Sequence, residues 1–170
     1  MSETRWSVAW AQRPAEEARN LNPAFCAELI ARTIAEYYKA RKTPLSMATA
    51  FLVLPLTLHK LTRCALPGKA NTTLASWIVS NSSQLAELPG RVIRLRPVSR
   101  EAMLFSIRYG INSLTEGGLV PGFRPIKLTA RPTPTTDDVN EARVAAGLLG
   151  RWFSAQASES AILQGFGVAP

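Results

Sequence analysis

The 170-residue sequence contains one histidine, His59, two cysteines, Cys26 and Cys64, and two aspartates, Asp137 and Asp138. Each scarcity excludes a class of chemistry. One histidine cannot supply a multi-imidazole metal centre. Two cysteines with no second ligand pair make no zinc site, and they read as reduced, small core residues. A cysteine nucleophile would need His59 beside it, yet Cys64 lies five residues further along the same helix and so on another face. The paired aspartates stand at a helix start, where negative charge complements the dipole. Glu28 and Glu36 are two turns apart on one helix and do not form a working pair. No phosphate-loop motif, no glycine-rich dinucleotide turn and no Gly-x-Ser-x-Gly elbow occurs. The expectation is a protein without catalytic residues, metal or cofactor.

Long apolar runs are also missing. The longest, Met47 to Leu58, is interrupted by Pro55 and falls well short of the ~20 residues a membrane helix needs. It reads as a buried core segment, and no membrane association is expected. No apolar run follows a basic start, so no signal peptide is expected and the compartment expected is the cytoplasm.

Hydrophobic residues make up 46% of the chain and charged residues 19%, enough for one globular core and unlike a disordered chain. The charge balance is lopsided, with twenty lysines and arginines against twelve acids and a formal net charge of +8. Such a surface favours polyanions or acidic partner surfaces, and the arginine excess suits phosphate or carboxylate geometry.

Helices account for most of the pattern. Asn22-Pro23 is a cap followed by proline at the first helical position, and Phe25, Cys26, Leu29, Ile30, Ile34, Tyr37 and Tyr38 then recur at helical spacing to about Ala40. Ser46 caps a second helix that Pro55 must kink or break, and Leu66-Pro67-Gly68 ends its continuation. Thr72 to Ser80 reads as a short helix, and Gln84 to Leu95 as another, loosened near Pro89-Gly90. Ser99 is read as the cap of a helix from Arg100 to about Tyr109, stopped by Gly110, with Met103, Leu104, Phe105 and Ile107 spent on packing. Two short extended pieces around Glu116-Gly117-Gly118 predict a β-hairpin. Thr136 caps the last long helix, whose apolar face is read as Val144, Ala145, Leu148, Leu149, Trp152 and Phe153, and the apolar tail reads as docked. The fold class expected is mainly α: a single helical domain of residues 21–170 with a small β-hairpin, winged-helix-like. An N-terminal arm, residues 1–20, precedes it, and a proline-rich linker falls at about 121–135, within which Phe123, Ile126 and Leu128 alternate like a strand.

Binding candidates are basic. Arg91, Arg94, Arg96 and Arg100 fall within ten residues without an acid among them, and could rest on a phosphate backbone or an acidic protein. Arg124, Lys127 and Arg131 flank the hairpin and could join that footprint. Arg151, Trp152 and Phe153 form an aromatic-plus-arginine group of the kind found at protein interfaces, although core packing is the commoner fate of such aromatics. His59, in an apolar segment, reads as a core histidine with a satisfied hydrogen bond.

Several segments together resemble the middle components of bacterial three-component ABC systems. They are Leu21-Asn22-Pro23-Ala24-Phe25-Cys26, Phe51-Leu52-Val53-Leu54-Pro55-Leu56 leading into Leu58-His59-Lys60, Ser99-Arg100-Glu101-Ala102, Leu149-Gly150-Arg151-Trp152-Phe153, and Gly165-Phe166-Gly167-Val168-Ala169-Pro170. They follow the family's order from about Trp6 to the C-terminus. The resemblance implies a subunit encoded between a structural-maintenance or DNA-repair type (SMC/Rad-like) ATPase and a variable effector, often a nuclease, as in Lamassu-type anti-phage systems. It implies an adaptor that joins the two and helps keep the effector silent, with double-stranded DNA sensed by the complex and no catalytic residues of its own. The alternative from the residues is a free-standing winged-helix regulator that reads duplex DNA through Arg91 to Arg108 and the hairpin. A small hydrolase would need a second histidine or a carboxylate pair.

Overall fold

The computed structural model describes residue 8, residues 12–128 and residues 135–168. Trp6, Trp10, Arg131, Pro132, Pro134, Ala169 and Pro170 lie outside the described residues. The short helix α1 (Ala15–Asn20) leads into α2 (Pro23–Arg41), the axis of the fold. Asn22 starts α2 as the sequence predicts, its Oδ1 accepting from the amides of Ala24 at 2.8 Å and Phe25 at 3.4 Å. Cys26, Leu29, Ile30, Ile34 and Tyr37 are buried along α2, whereas Phe25 and Tyr38 sit at its half-buried margin. Of the expected N-terminal arm, the described part is tied down: Arg13 is buried and forms a two-pronged pair, at 2.8 and 3.0 Å, with Glu101.

After α2, Ser46 caps α3 (Met47–Ala50), and the chain breaks at Phe51-Leu52 before α4 (Val53–Thr57). The break lies one turn before Pro55, which has no N–H to give to the carbonyl four residues back and whose ring crowds it. Every residue of α4 is buried. α5 (Lys60–Ala65) and α6 (Leu74–Ser80) follow, capped by His59 and Thr73. His59 is half-buried at a cap rather than in the core, its Nδ1 accepting from the Thr62 amide at 3.3 Å. Cys26 is fully buried, with burial pushing its thiol up to about 12, but Cys64 is exposed on α5 and is not the core residue expected.

A short helix α7 (Ser82–Leu85) precedes α8 (Leu88–Arg108), and here the structure corrects the sequence reading. The two helices predicted on either side of residue 97 are one continuous element. Pro89 lies in its first turn, where its missing amide costs nothing, so Pro89-Gly90 starts the helix and does not loosen one. Ser99 is fully buried in mid-helix and caps nothing. The predicted stop holds: Gly110 takes φ +71°, the Ile111 amide reaches back to the Ser106 carbonyl and the Gly110 amide to that of Ile107, the six-to-one and five-to-two pair of a Schellman motif. The ring of Phe123 covers Gly110 closely, so a Cβ there would overlap it.

The predicted hairpin is present. β1 (Asn112–Thr115) and β2 (Gly118–Pro121) pair antiparallel, with Leu114 opposite Leu119 and the turn at Glu116-Gly117. β2 lies against α2, and its outer edge bridges to Leu45, the two backbones exchanging bonds of 3.0 and 2.8 Å. Residues 122–128 carry no strand, contrary to the alternation read through Phe123, Ile126 and Leu128.

Thr136 caps α9 (Asp137–Ser154), which packs along α2. At the crossing, Thr33 Oγ1 donates to the Ala146 carbonyl at 2.9 Å, and a Cβ on Gly150 would stand 2.4 Å from the Thr33 carbonyl oxygen. Arg143 binds Glu28 at 2.8 and 3.0 Å and Arg151 reaches Glu36 at 3.1 Å, so both glutamates are structural partners across this interface. Val144, read as part of the apolar face, is 71% exposed.

α10 (Glu159–Gly165) docks the tail as predicted. Phe166 joins Trp77, Trp152 and Phe153 in an aromatic cluster, with the two indoles 5.1 Å apart edge to face. Both indole N–H groups are satisfied, Trp77 by the Ala65 carbonyl and Trp152 by the Thr72 carbonyl, each at 2.7 Å. The Glu159 carboxylate accepts from the Tyr37 hydroxyl at 3.2 Å, the Ser46 amide at 3.0 Å and the Thr49 hydroxyl at 3.4 Å. The architecture is a mainly helical single domain with one two-stranded antiparallel hairpin.

Candidate interaction surface on helix α8

α8 holds four of the eight basic residues singled out in the sequence, and its geometry divides them. Arg91 turns inward and is buried. Its guanidinium Nη1 donates to the Pro55 carbonyl at 3.1 Å and to Thr62 Oγ1 at 3.0 Å. Burial pulls that guanidinium below the usual arginine value. Beside it, buried Arg63 donates to the Thr57 carbonyl at 2.9 Å and binds both Asp138 and Glu141 in the first turns of α9. These two arginines take carbonyls that the broken α4 cannot satisfy by itself, and they couple α4 and α5 to α8 and α9. Arg91 is therefore not part of a solvent-facing cluster.

Arg94, Arg96 and Arg100 are exposed, but they do not share one face. Successive helical residues turn by 100°, so Arg96 and Arg100, four apart, stand one above the other, while Arg94 points to nearly the opposite side. The row begun by Arg96 and Arg100 continues through Leu104 to Arg108, both exposed. Among the described residues none of Arg94, Arg96, Arg100 and Arg108 has an acidic partner within ion-pair distance. The only acid of α8, Glu101, is occupied by Arg13. Ile93 is 71% exposed and Leu104 57% exposed on the same side. The sequence reading assigned Leu104 to packing; the structure turns it to solvent. Ile93 and Leu104 do not figure among the sequence-predicted site residues and Arg108 enters only as the end of the DNA-reading stretch, because the phase that joins them to Arg96 emerges only when the helix runs unbroken through Pro97 and Leu104 faces solvent.

Arg124 and Lys127 are exposed on the irregular segment after β2. The Arg124 amide bonds the Gly110 carbonyl at 2.8 Å, which places its backbone just past the end of α8. On α9, Arg151 is surface-exposed, but Trp152 and Phe153 are 0% and 1% exposed and belong to the core. The adjacent aromatics face inward because they complete the cluster around Trp77 and Phe166, so they offer nothing to a partner.

Two apolar grooves border the outer side of α8. One, of about 520 Å³, lies between Phe51, Val92, Ile93, Leu163 and Val168. The other, of about 500 Å³, lies between the start of α2 at Pro23 and Leu104, Phe105 and Tyr109 of α8. Among the described residues, no group of three or more His, Cys, Asp or Glu side chains is placed to hold a metal ion, and no helix is long and apolar enough to cross a membrane.

A family model described as ABC-three component (ABC-3C) system Middle Component 3 matches residues 10–170. No curated protein and no solved structure matches the chain.

Proposed function

Because the chain belongs to the family of ABC-three component system Middle Component 3, we propose that it serves as a non-catalytic adaptor bridging an SMC/Rad-like ATPase and a variable effector, often a nuclease, in a Lamassu-type anti-phage defence complex of the cytoplasm. Membership in a three-component system carries with it the existence of partner components; their identity is the proposal. The observation that carries the reading is the match over nearly the full chain. The arginines of α8 that have no ion-pair partner among the described residues, standing beside exposed Ile93 and Leu104, support it as a surface suited to a partner. In this reading α8 and the β1–β2 hairpin act as a winged-helix-like grip on the ATPase. The hairpin is pinned at Leu45, so the grip is a rigid one.

The test is reconstitution. The tagged chain is co-expressed with the products of its neighbouring genes, and the recovered assembly is sized and identified. Recovery of ATPase and effector together, with the two separating when this chain is omitted, is the expected result. An ATPase and effector that associate equally well without it would remove the bridging role.

A free-standing DNA regulator is the second reading, favoured by the exposed arginines alone. It would show as tight, salt-dependent binding of the isolated chain to duplex DNA and no recovered partner.

A further inference from the structure

Arg96, Arg100, Leu104 and Arg108 recur at every fourth position of α8, a row roughly 18 Å long at 1.5 Å per residue. Ile93 extends it by a turn, and an apolar groove opens beside each half of the row. From this arrangement we infer that the outer side of α8 docks an amphipathic helix of a partner subunit, one that carries aspartates or glutamates beside an apolar stripe. The inference rests on the adaptor reading and adds to it the chemistry of the partner.

Three features choose this occupant. The row mixes three arginines with side chains that are 71% and 57% exposed at Ile93 and Leu104. A phosphate backbone would satisfy the arginines but leave those apolar groups against charge; an amphipathic helix covers both. The arginines have no ion-pair partner among the described residues, which leaves their guanidinium groups available to carboxylates of a partner. Planar guanidinium groups bind carboxylates in a two-pronged way, as Arg13 does with Glu101 on the same helix. The row is also a four-residue ridge about three turns long that winds by about 40° at each step, the kind of ridge a second helix packs across at roughly 50°.

The experiment places a photo-reactive benzoylphenylalanine at Leu104 in the full chain, co-expressed with the other two components of its system. Cross-linked peptides are read by mass spectrometry. Cross-links should fall in one helical segment whose acids and apolar residues share a face. The triple variant Arg96→Glu, Arg100→Glu, Arg108→Glu should lose recovery of that component by about tenfold or more, while unfolding at the parent's temperature. Acid-to-lysine changes in the cross-linked segment should restore it. Cross-links that map to no component, or to a segment without acids, overturn the docking. So does a triple variant that recovers both components at the parent's level, an outcome that leaves the adaptor reading standing. Retained components with lost binding of a short duplex DNA would assign the row to nucleic acid and also overturn it. A parent chain that recovers neither component sinks the adaptor reading, and the docking with it.

Discussion

The two sides of α8 use the same residue type in opposite ways. On the inner side Arg91, with Arg63 beside it, is spent wholly on the protein: carbonyls of Pro55 and Thr57, the Thr62 hydroxyl, and two carboxylates of α9. On the outer side Arg96, Arg100 and Arg108 touch no acid among the described residues and stand beside exposed Ile93 and Leu104. The inner arginines serve the C-terminal end of α4, which stops at Thr57 and so leaves the Pro55 and Thr57 carbonyls in the core without helical donors, within reach of a long, multiply donating side chain. The outer ones have no such debt to the fold. A dense run of basic residues is thus not one feature; the helix phase decides which members stabilise and which remain available.

The contrast can be broken most forcefully at its inner pole. Arg91→Glu should cost about 3–5 kcal/mol, because a carboxylate would face stranded carbonyls in a buried site; urea unfolding measures it, and a parent-like midpoint would mean that Arg91 is no more structural than its neighbours. It follows that a charge reversal combining Arg91 with Arg94 tests folding rather than binding. A second inner position is Gly150, where an added Cβ meets the Thr33 carbonyl at 2.4 Å. Gly150→Ala should lose about 1–3 kcal/mol through overpacking. Gly147, three residues earlier on the same helix, faces only the end of Arg151 at 3.5 Å, so Gly147→Ala should gain about 0.5–1 kcal/mol from helix propensity. At the outer pole, the triple charge reversal at Arg96, Arg100 and Arg108 should leave the melting temperature within a degree or so of the parent; a clear drop would show that these arginines also hold the fold.

The smallest effect lies between the poles, at His59. Burial, then the neighbouring Arg91 charge, holds its imidazole below the ordinary 6.5. A base whose folded value is depressed gives stability that is complete above the unfolded value and is lost as the pH falls from 6.5 toward the folded one, since only the unfolded chain takes up the proton there. His59→Asn keeps a capping acceptor and should flatten that part of the stability–pH curve in chemical denaturation. An unchanged slope would place the titrating group elsewhere.

Much of the fold was legible where one residue has one local job. Asn22-Pro23, Ser46 and Thr136 cap the helices read for them, Gly110 ends α8 in a left-handed turn, and Glu116-Gly117 turns the hairpin. Reading failed where a residue's job depends on a distant partner. Pro97 looks like a helix boundary, yet the carbonyl it deprives is that of Ile93, on a turn so exposed that solvent can replace the lost donor. Ser99 then looks like a cap, because nothing local says that the helix has already begun. Trp152 and Phe153 follow an exposed arginine, and only the cluster with Phe166 and Trp77 shows that the two aromatics face inward. The candidate surface was half legible: the arginines were visible, but their partition into a structural one, an isolated one and a row required the phase of an unbroken α8.

The Glu159 carboxylate has a consequence in time. It completes the cap of α3 and reaches the Tyr37 hydroxyl from positions separated by 110, 113 and 122 residues of chain. Contacts so distant along the sequence form late, since the intervening loop must close first. During synthesis the start of α3 stays without its carboxylate until the chain has been made through Glu159, so the joining of α10 to α3 and α2 is a late event in folding even though α3 itself is made early.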